Sequence, residues 1–187
     1  MTAADDDTSD RELFAAWVHQ HGRAVRGFLL ARVQGPDLAD DLSQEVFGRA
    51  WAARRRYREQ GTARAYLLRI ADRLVRDHRR AKKPVNLDGT AWRQHEPFSQ
   101  ATEPSRAAVT AEETEQLTTV LTQLSPLQQR VLLLRYYGQL SFAEIADIVG
   151  CPLNTTLSHC RRGLETLRKL LVEKNHERRL GRAGADR

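Results

Sequence analysis

The chain has 187 residues, enough for one medium domain or two small ones, and its 41% apolar and 29% charged residues are those of a soluble globular protein. Only 6% of residues are aromatic, while Ala, Leu, Arg and Glu abound, which disfavours a strand-rich fold and favours helices. The formal net charge of +6 points toward a polyanionic partner, and no apolar run reaches the ~20 residues needed to span a bilayer, so membrane insertion is not expected.

Residues 1–8 read as an acidic tail outside the fold. They carry no signal-peptide pattern, so the expected location is the cytoplasm. Ser9-x-x-Glu12 has the form of a capping box opening a first helix, in which Phe14, Trp17, His21, Val25 and Phe28 draw one face. Gly35-Pro36 ends it. Asp37 is placed to cap a second helix, whose buried stripe is Leu38, Leu42, Val46 and Ala50. Asp37, Asp40 and Asp41 crowd its first turns and Arg49, Arg54, Arg55 and Arg56 its end, as the helix dipole favours. Thr62 is placed to cap a third helix with an inner face of Leu67, Ile70, Ala71, Leu74 and His78, ending near Lys83-Pro84.

Residues 84–111 are polar, with scattered Pro and Gly and no clear period, and read as a flexible linker; Trp92 and Phe98 are its only large apolar groups. Helical patterning returns with Leu117, Val120, Leu121 and Leu124. Ser125-Pro126 is a cap followed by Pro at the first helical position, and Tyr136-Tyr137-Gly138 stops the helix that follows.

The sharpest local pattern lies at 141–171. Ser141-x-x-Glu144 is a second capping box, Ile145, Ala146 and Val149 make a short amphipathic helix, and Gly150 permits a tight turn. Asn154 reads as the cap of the next helix, in which Leu153, Leu157, Cys160, Leu164, Leu167 and Leu171 are expected to face the core. Thr155, Ser158, His159 and Arg162 then lie on the far side. That is the layout of a helix-turn-helix, with small polar and basic groups aimed at a DNA major groove. An ordinary helical hairpin with a solvated face is the plainer alternative. Cys151 and Cys160 form no CxxC pair and have no His cluster beside them, so they read as small core residues, not a disulfide or zinc site.

The third helix carries a basic stripe. Arg69, Arg73, Arg76 and Arg80 follow at steps of four, three and four, which at about 100° per residue is one narrow face. Such a row repels itself, and Asp72 and Asp77 relieve it only in part. A solvated charged face is the commoner fate of such a run. Here the stripe continues into Arg79, Lys82 and Lys83, which favours a nucleic-acid backbone. Tyr57 and Tyr66 lie near this surface. They are either stacking platforms for an unpaired base, Tyr66 being the better placed, or half-buried core residues.

Three stretches together resemble the extracytoplasmic-function group of sigma factors. Asp37-Leu-Ala-Asp-Asp-Leu-Ser-Gln-Glu-Val-Phe47, followed by Arg49-Ala-Trp51, is similar to the family's Asp-Leu-x-Gln-Glu-Val-Phe helix. Ala65-Tyr-Leu-Leu-Arg-Ile-Ala71 running to Asp77-His-Arg-Arg80 resembles its Trp-Leu-x-x-Ile-Ala…Asp-x-x-Arg-Arg helix. Leu124-Ser-Pro-Leu-Gln-Gln-Arg-Val-Leu-Leu-Leu-Arg-Tyr-Tyr137 with Leu140-Ser-Phe-Ala-Glu-Ile-Ala146 is similar to its helix-turn-helix.

The resemblance implies an all-α chain of two small helical domains joined by a flexible linker. Residues 9–83 would be region 2, 84–111 the linker, 112–173 the region 4 helix-turn-helix and 174–187 a basic tail. It implies that Asp41, Gln44, Glu45 and Arg49 dock on core RNA polymerase, which suits their place on the polar side of their helix. It implies that Tyr57, Tyr66, Arg69, Arg73, Arg76 and Arg80 serve the −10 promoter element, and that Thr155, Ser158, His159, Arg161 and Arg162 serve the −35 element. The linker would thread into the polymerase channels. An anti-sigma factor is an expected partner; no cofactor, metal or small-molecule substrate is expected.

Where the family's recognition helix reads Thr-Val-Lys-Ser-Arg-x-x-Arg-Ala, this chain reads Thr155-Thr-Leu-Ser-His-Cys-Arg-Arg-Gly163. Leu157 thus replaces a Lys and His159 an Arg, with Arg161 positioned to substitute. Tyr66 stands where Trp is common, and Arg73 where Asn is frequent. Two other classes compete. A stand-alone helix-turn-helix regulator leaves the first half without a task. A metal-dependent enzyme would have only Asp40, Asp41 and Glu45 to draw on, and no phosphate loop or nucleophile constellation is present.

Overall fold

The computed structural model describes residues 3–33, 35–54, 57, 62–81, 117 and 119–185, and the side chains of those between 10 and 174. All secondary structure among these residues is helical. The main elements are α1 (Ala3–Leu30), α2 (Pro36–Ala52), α3 (Ala63–Ala81), α4 (Pro126–Leu132), α5 (Phe142–Val149) and α6 (Leu153–Ala185). A π-helical turn, Leu133–Tyr137, prolongs α4. The proposed linker and its Trp92 and Phe98 lie outside the described residues.

Three boundaries differ from the sequence reading. Helix α1 already runs from Ala3, so Ser9 and Glu12 lie inside it and residues 3–8 are helical, not a tail outside the fold. Asp37 is not the cap of α2. Gly35 holds that position at φ 90° without a side-chain bond, and Pro36 follows in the first turn, where its missing N–H costs nothing. Helix α6 starts at Leu153, so Asn154 sits within the first turn, and it continues unbroken to Ala185 through the segment read as a basic tail.

Other sequence signals hold. Thr62 Oγ1 accepts from the Ala65 amide at 3.2 Å and caps α3. Ser125 forms a full capping box with Gln128 ahead of Pro126, and Ser141 forms one with Glu144. Gly150 ends α5 in the left-handed region at φ 76°, which a β-carbon would disfavour.

Helices α1 to α3 pack around Val25, Phe28, Leu29, Ala39, Leu42, Val46, Ala50, Leu67, Ala71 and Leu74. The C-terminal helices bury Leu124, Val131, Leu132, Leu134, Leu140, Ile145 and Ile148. The two sets are not separate, for they join in one apolar cluster. Of the expected inner face of α3, Leu67, Ala71 and Leu74 are buried and Ile70 and His78 partly so; Leu68 and Val75 are buried too, on a second side that meets the C-terminal helices.

The leucine stripe of α6 is the clearest correction. Leu153, Leu157 and Leu164 are 47%, 40% and 41% exposed, so they do not face the core. Cys160 of the same stripe is buried as expected and Leu167 packs half-buried against the core, while Thr156 and Gly163, outside the stripe, are buried as well. The Thr156 hydroxyl is spent on the Pro152 carbonyl at 3.2 Å, and a β-carbon at Gly163 would lie 3.0 Å from Leu132 Cδ1. Small residues allow α4 and α6 to approach closely, and that proximity turns the leucines outward. Cys151 lies in the turn before α6, not in a helix, and both cysteines are free.

Ser125→Ala should lower the unfolding free energy by about 1 kcal/mol, as expected for a lost N-cap. Urea denaturation of the full chain measures it, and an unchanged midpoint would show that the cap contributes nothing.

Candidate protein- and nucleic-acid-binding surfaces

The first surface lies on α2. Burial of Ala39, Leu42, Val46 and Ala50 leaves Asp41, Gln44, Glu45 and Arg49 exposed together along the opposite side. Glu45 accepts from Arg49 Nε at 3.0 Å and Nη2 at 2.5 Å, so the row carries its own internal ion pair. Asp40, one position round the helix, is committed elsewhere. Its two oxygens accept from Arg26 Nε at 2.5 Å and Nη2 at 3.1 Å, tying α2 to α1. The hydrogen bond from Arg26 holds the Asp40 carboxyl below its ordinary range. Among the described residues no group of three or more His, Cys, Asp and Glu could hold a metal ion.

The second surface is the arginine stripe of α3. Arg69, Arg73 and Arg80 are exposed and Arg76 is partly buried. Arg69 pairs with Asp147 of α5, and Arg73 lies 3.9 Å from Asp77. Arg76 Nε is 3.3 Å from the Asp72 carboxylate but misaligned for a hydrogen bond. Tyr57 and Tyr66 are half-buried, as the plainer reading had it. They pack on each other at 4.7 Å between ring centres and on Trp17 at 4.8 and 6.2 Å. Burial pushes the Tyr66 hydroxyl up from its ordinary pKa.

Beside the stripe sits a cluster that the sequence reading missed. Asp72 is fully buried and accepts from Arg130 of α4 through both oxygens, at 2.8 and 2.6 Å. Arg32, only 2% exposed, is within electrostatic reach of the same carboxylate, and its Nε and Nη1 have no acceptor. Burial, with Arg79 adding to it, lowers the Arg32 pKa to about 10, and Asp72 offsets this in part. Arg79 donates to the Arg32 carbonyl at 2.7 Å. One signal pointed here: Asp72 follows Ala71 and stands four residues after Leu68, on the apolar side of α3.

The third surface is the start of α6. Arg161 and Arg162 are exposed, while Thr155, Ser158 and His159 are partly so. The Ser158 hydroxyl donates to the Asn154 carbonyl at 2.8 Å, and Arg162 Nε reaches the Ser158 carbonyl at 3.3 Å. Arg161 lies 3.9 Å from Glu165. His159 keeps one ring nitrogen, Nδ1, buried without a partner.

Two family models match the chain: sigma-70 region 2 over residues 17–85 and sigma-70 region 4 over residues 114–167. The chain belongs to the extracytoplasmic-function group of the sigma-70 family. It is similar to a probable RNA polymerase sigma-C factor of Mycobacterium bovis, 33% identical over 89% of this chain and 94% of that one. It is also similar to the sigma factor YlaC of Bacillus subtilis, 30% identical over 85% of this chain and 92% of that one. Among solved structures, the fold matches RpoE of Bartonella quintana, determined with the anti-sigma factor NepR. That match has a TM-score of 0.68 at 23% identity and covers 84% of this chain and 96% of the other. It also matches CnrH, determined with the cytosolic domain of CnrY, at TM-score 0.67 and 22% identity, covering 91% of this chain and 95% of the other. As a sigma factor the chain is not an enzyme; it is a subunit that directs RNA polymerase to promoters. A stand-alone regulator would not carry the region 2 match. No helix among the described residues is long and apolar enough to cross a membrane.

Because Arg26 holds Asp40 ionised more readily in the folded chain than in the unfolded one, the pair contributes above the unfolded carboxylate pKa of about 3.9 and is lost as pH falls through the lower folded value. Asp40→Asn should therefore weaken the chain at pH 7 and flatten the loss of stability between about pH 5 and 2. Denaturant midpoints across that range, wild type against variant, give the comparison; parallel curves would exclude the pair as a contributor.

Proposed function

We propose that the three surfaces divide the sigma-factor task. Residues 9–83 act as region 2, 84–111 as the linker threading the polymerase channels, 112–173 as region 4, and 174–187 as a basic extension. The observation that carries the reading is the exposed row Asp41, Gln44, Glu45 and Arg49, presented by a rigid helix whose other side is core. A polar row with two acidic groups, an amide and one cation suits a protein surface of complementary charge, which for this chain is the core enzyme.

The α3 stripe serves the −10 element. Arg80 stands clear for phosphate oxygens, Arg73 is only loosely paired with Asp77, and Arg69 and Arg76 join them when their carboxylate partners let go. Tyr57 and Tyr66 are edges of an aromatic cluster anchored by Trp17, so a flipped base would stack on a platform held in place. The start of α6 reads the −35 element as duplex. Arg161 and Arg162 supply cations, Thr155 and His159 supply hydrogen-bonding groups, and Ser158 braces the helix through Asn154. The outward leucines, Leu153 and Leu157, offer apolar contact to a thymine methyl where the family carries a charge at one of those positions. The protein works in the cytoplasm, and an anti-sigma factor holds it in reserve, a partner chemistry supported by the complexes in which its structural relatives were determined.

Glu45→Lys should abolish capture by purified core polymerase while leaving the circular dichroism and melting of the free chain intact. Undiminished capture would remove the α2 row from the interface. Arg162→Ala should weaken binding of the reconstituted holoenzyme to −35 duplex by about 1–3 kcal/mol if the guanidinium meets a base. An unaltered gel shift would reassign it to the scaffold.

A further inference from the structure

Four guanidinium groups gather around the Asp72 carboxylate. Arg32 stands just past the end of α1, Arg76 and Arg79 on the last turns of α3, and Arg130 on α4. Arg130 takes both oxygens of Asp72, at 2.8 and 2.6 Å. Arg76 Nε comes within 3.3 Å of one of them but out of line for a hydrogen bond, and it has no other acceptor. Arg79 is turned toward the same place, its Nη2 donating to the Arg32 carbonyl at 2.7 Å. Arg32 itself is almost wholly buried, and neither Nε nor Nη1 has an acceptor. Among the described residues Asp72 is the one acid whose charge supports Arg32, while the charges of Arg79, Arg130 and Arg76 oppose it.

Burial lowers the Arg32 pKa to about 10, so the group is still a cation at neutral pH. A buried cation with two unmet donors is costly. Buried donors in folded proteins are nearly always bonded to protein, water or an ion. Water can accept from Arg32 but leaves the surplus charge in place. An oxyanion does both, since each oxygen accepts and the charge offsets guanidinium groups that Asp72 does not neutralise. Arginine is the side chain best matched to phosphate oxygens. Access sets the size of the occupant. Arg76 is partly buried and Arg79 exposed, so these two form the way in and Arg32 lies deepest. A phosphate within a nucleic-acid strand carries sugars on both sides and does not reach a group so deep. A free ion does.

We propose that Arg32, Arg76 and Arg79 bind a small free oxyanion of phosphate chemistry, either inorganic phosphate or the terminal phosphate of a nucleotide. Arg130 serves indirectly, by offsetting the Asp72 charge that would otherwise repel the ion. The site stands apart from the surfaces assigned to polymerase and promoter, except that it shares Arg76 with the α3 stripe.

The test uses the full chain in phosphate-free chloride buffer at fixed ionic strength, with thermal melting and phosphorus NMR line widths as readouts. Inorganic phosphate should raise the melting midpoint along a saturating curve, because a ligand bound by the folded state alone stabilises it by mass action. Arg32→Met removes the cation and both unmet donors but keeps an apolar stem. It should melt no lower than wild type without phosphate, and it should lose the phosphate response. A general salting effect of phosphate would act on both chains alike. Arg79→Gln, at an exposed position, covers the case in which Arg32→Met does not fold. It should weaken phosphate binding by roughly tenfold, about one charge-assisted hydrogen bond. Arg168→Ala, an exposed cation elsewhere on α6, should leave the response unchanged. A nucleoside triphosphate that displaces inorganic phosphate assigns the nucleotide, and phosphate binding indifferent to it assigns the free ion; each supports the site. No phosphate response in the wild type, or an equal response in Arg32→Met or Arg79→Gln, would overturn it. So would a loss of forked-DNA affinity in Arg32→Met without any phosphate response, which would make the cluster part of the DNA surface.

Discussion

A buried carboxylate, Asp72, among arginines that outnumber it, is the constraint on which the arrangement of this chain depends. A charge taken out of water is tolerated only when it is paired and hydrogen-bonded. Asp72 meets that condition through Arg130, which belongs to the other helical unit. The position of α4 on α3 is thereby specified by geometry and not by apolar contact alone, since a bidentate guanidinium accepts few orientations. The apolar cluster that runs through both units supplies the burial around it. The surplus of positive charge around Asp72, with Arg32 incompletely bonded, leaves this seam less settled than an interior of the same size made of hydrocarbon.

The functional surfaces follow from how each helix spends its faces. Helix α2 buries a stripe at steps of three and four and so presents Asp41, Gln44, Glu45 and Arg49 as a row on the far side. Helix α3 has no free side of comparable width. One face meets α1 and α2, a second meets the C-terminal helices, and the arginines occupy what remains. Helix α6 packs through small residues, which brings it close to α4 and sends Leu153, Leu157 and Leu164 outward beside the exposed Arg161 and Arg162.

Much of this was legible in the residues. The capping boxes at Ser125 and Ser141, the Thr62 cap and the Gly150 turn are local devices, complete within four residues, and they stand as read. The row on α2 and the arginine stripe needed only the helical period. Errors arose where a local signal met a tertiary one. Ser9-x-x-Glu12 has the form of a start, yet helix continues upstream to Ala3, because a capping pattern also fits inside a helix. The α6 leucines were assigned to the core because leucine is usually buried, but Gly163 and Thr156 permitted a closer approach on an adjacent face. Asp72 was read as relief for its neighbours on the helix surface, whereas it is wholly buried.

By itself, then, the sequence determined the helical class, the helix-turn-helix, the polar row and the family, since each is written in spacings of three and four residues or in an ordered set of short motifs. Only the tertiary structure decided which arginines are held and which stand clear, that Tyr57 and Tyr66 share a cluster with Trp17, and that Arg130 reaches Asp72 across 58 positions of chain. Periodicity reports the faces of one helix, but the partner of a charge is chosen by packing between helices, where desolvation makes an unpaired ion costly and leaves a single arrangement that satisfies it.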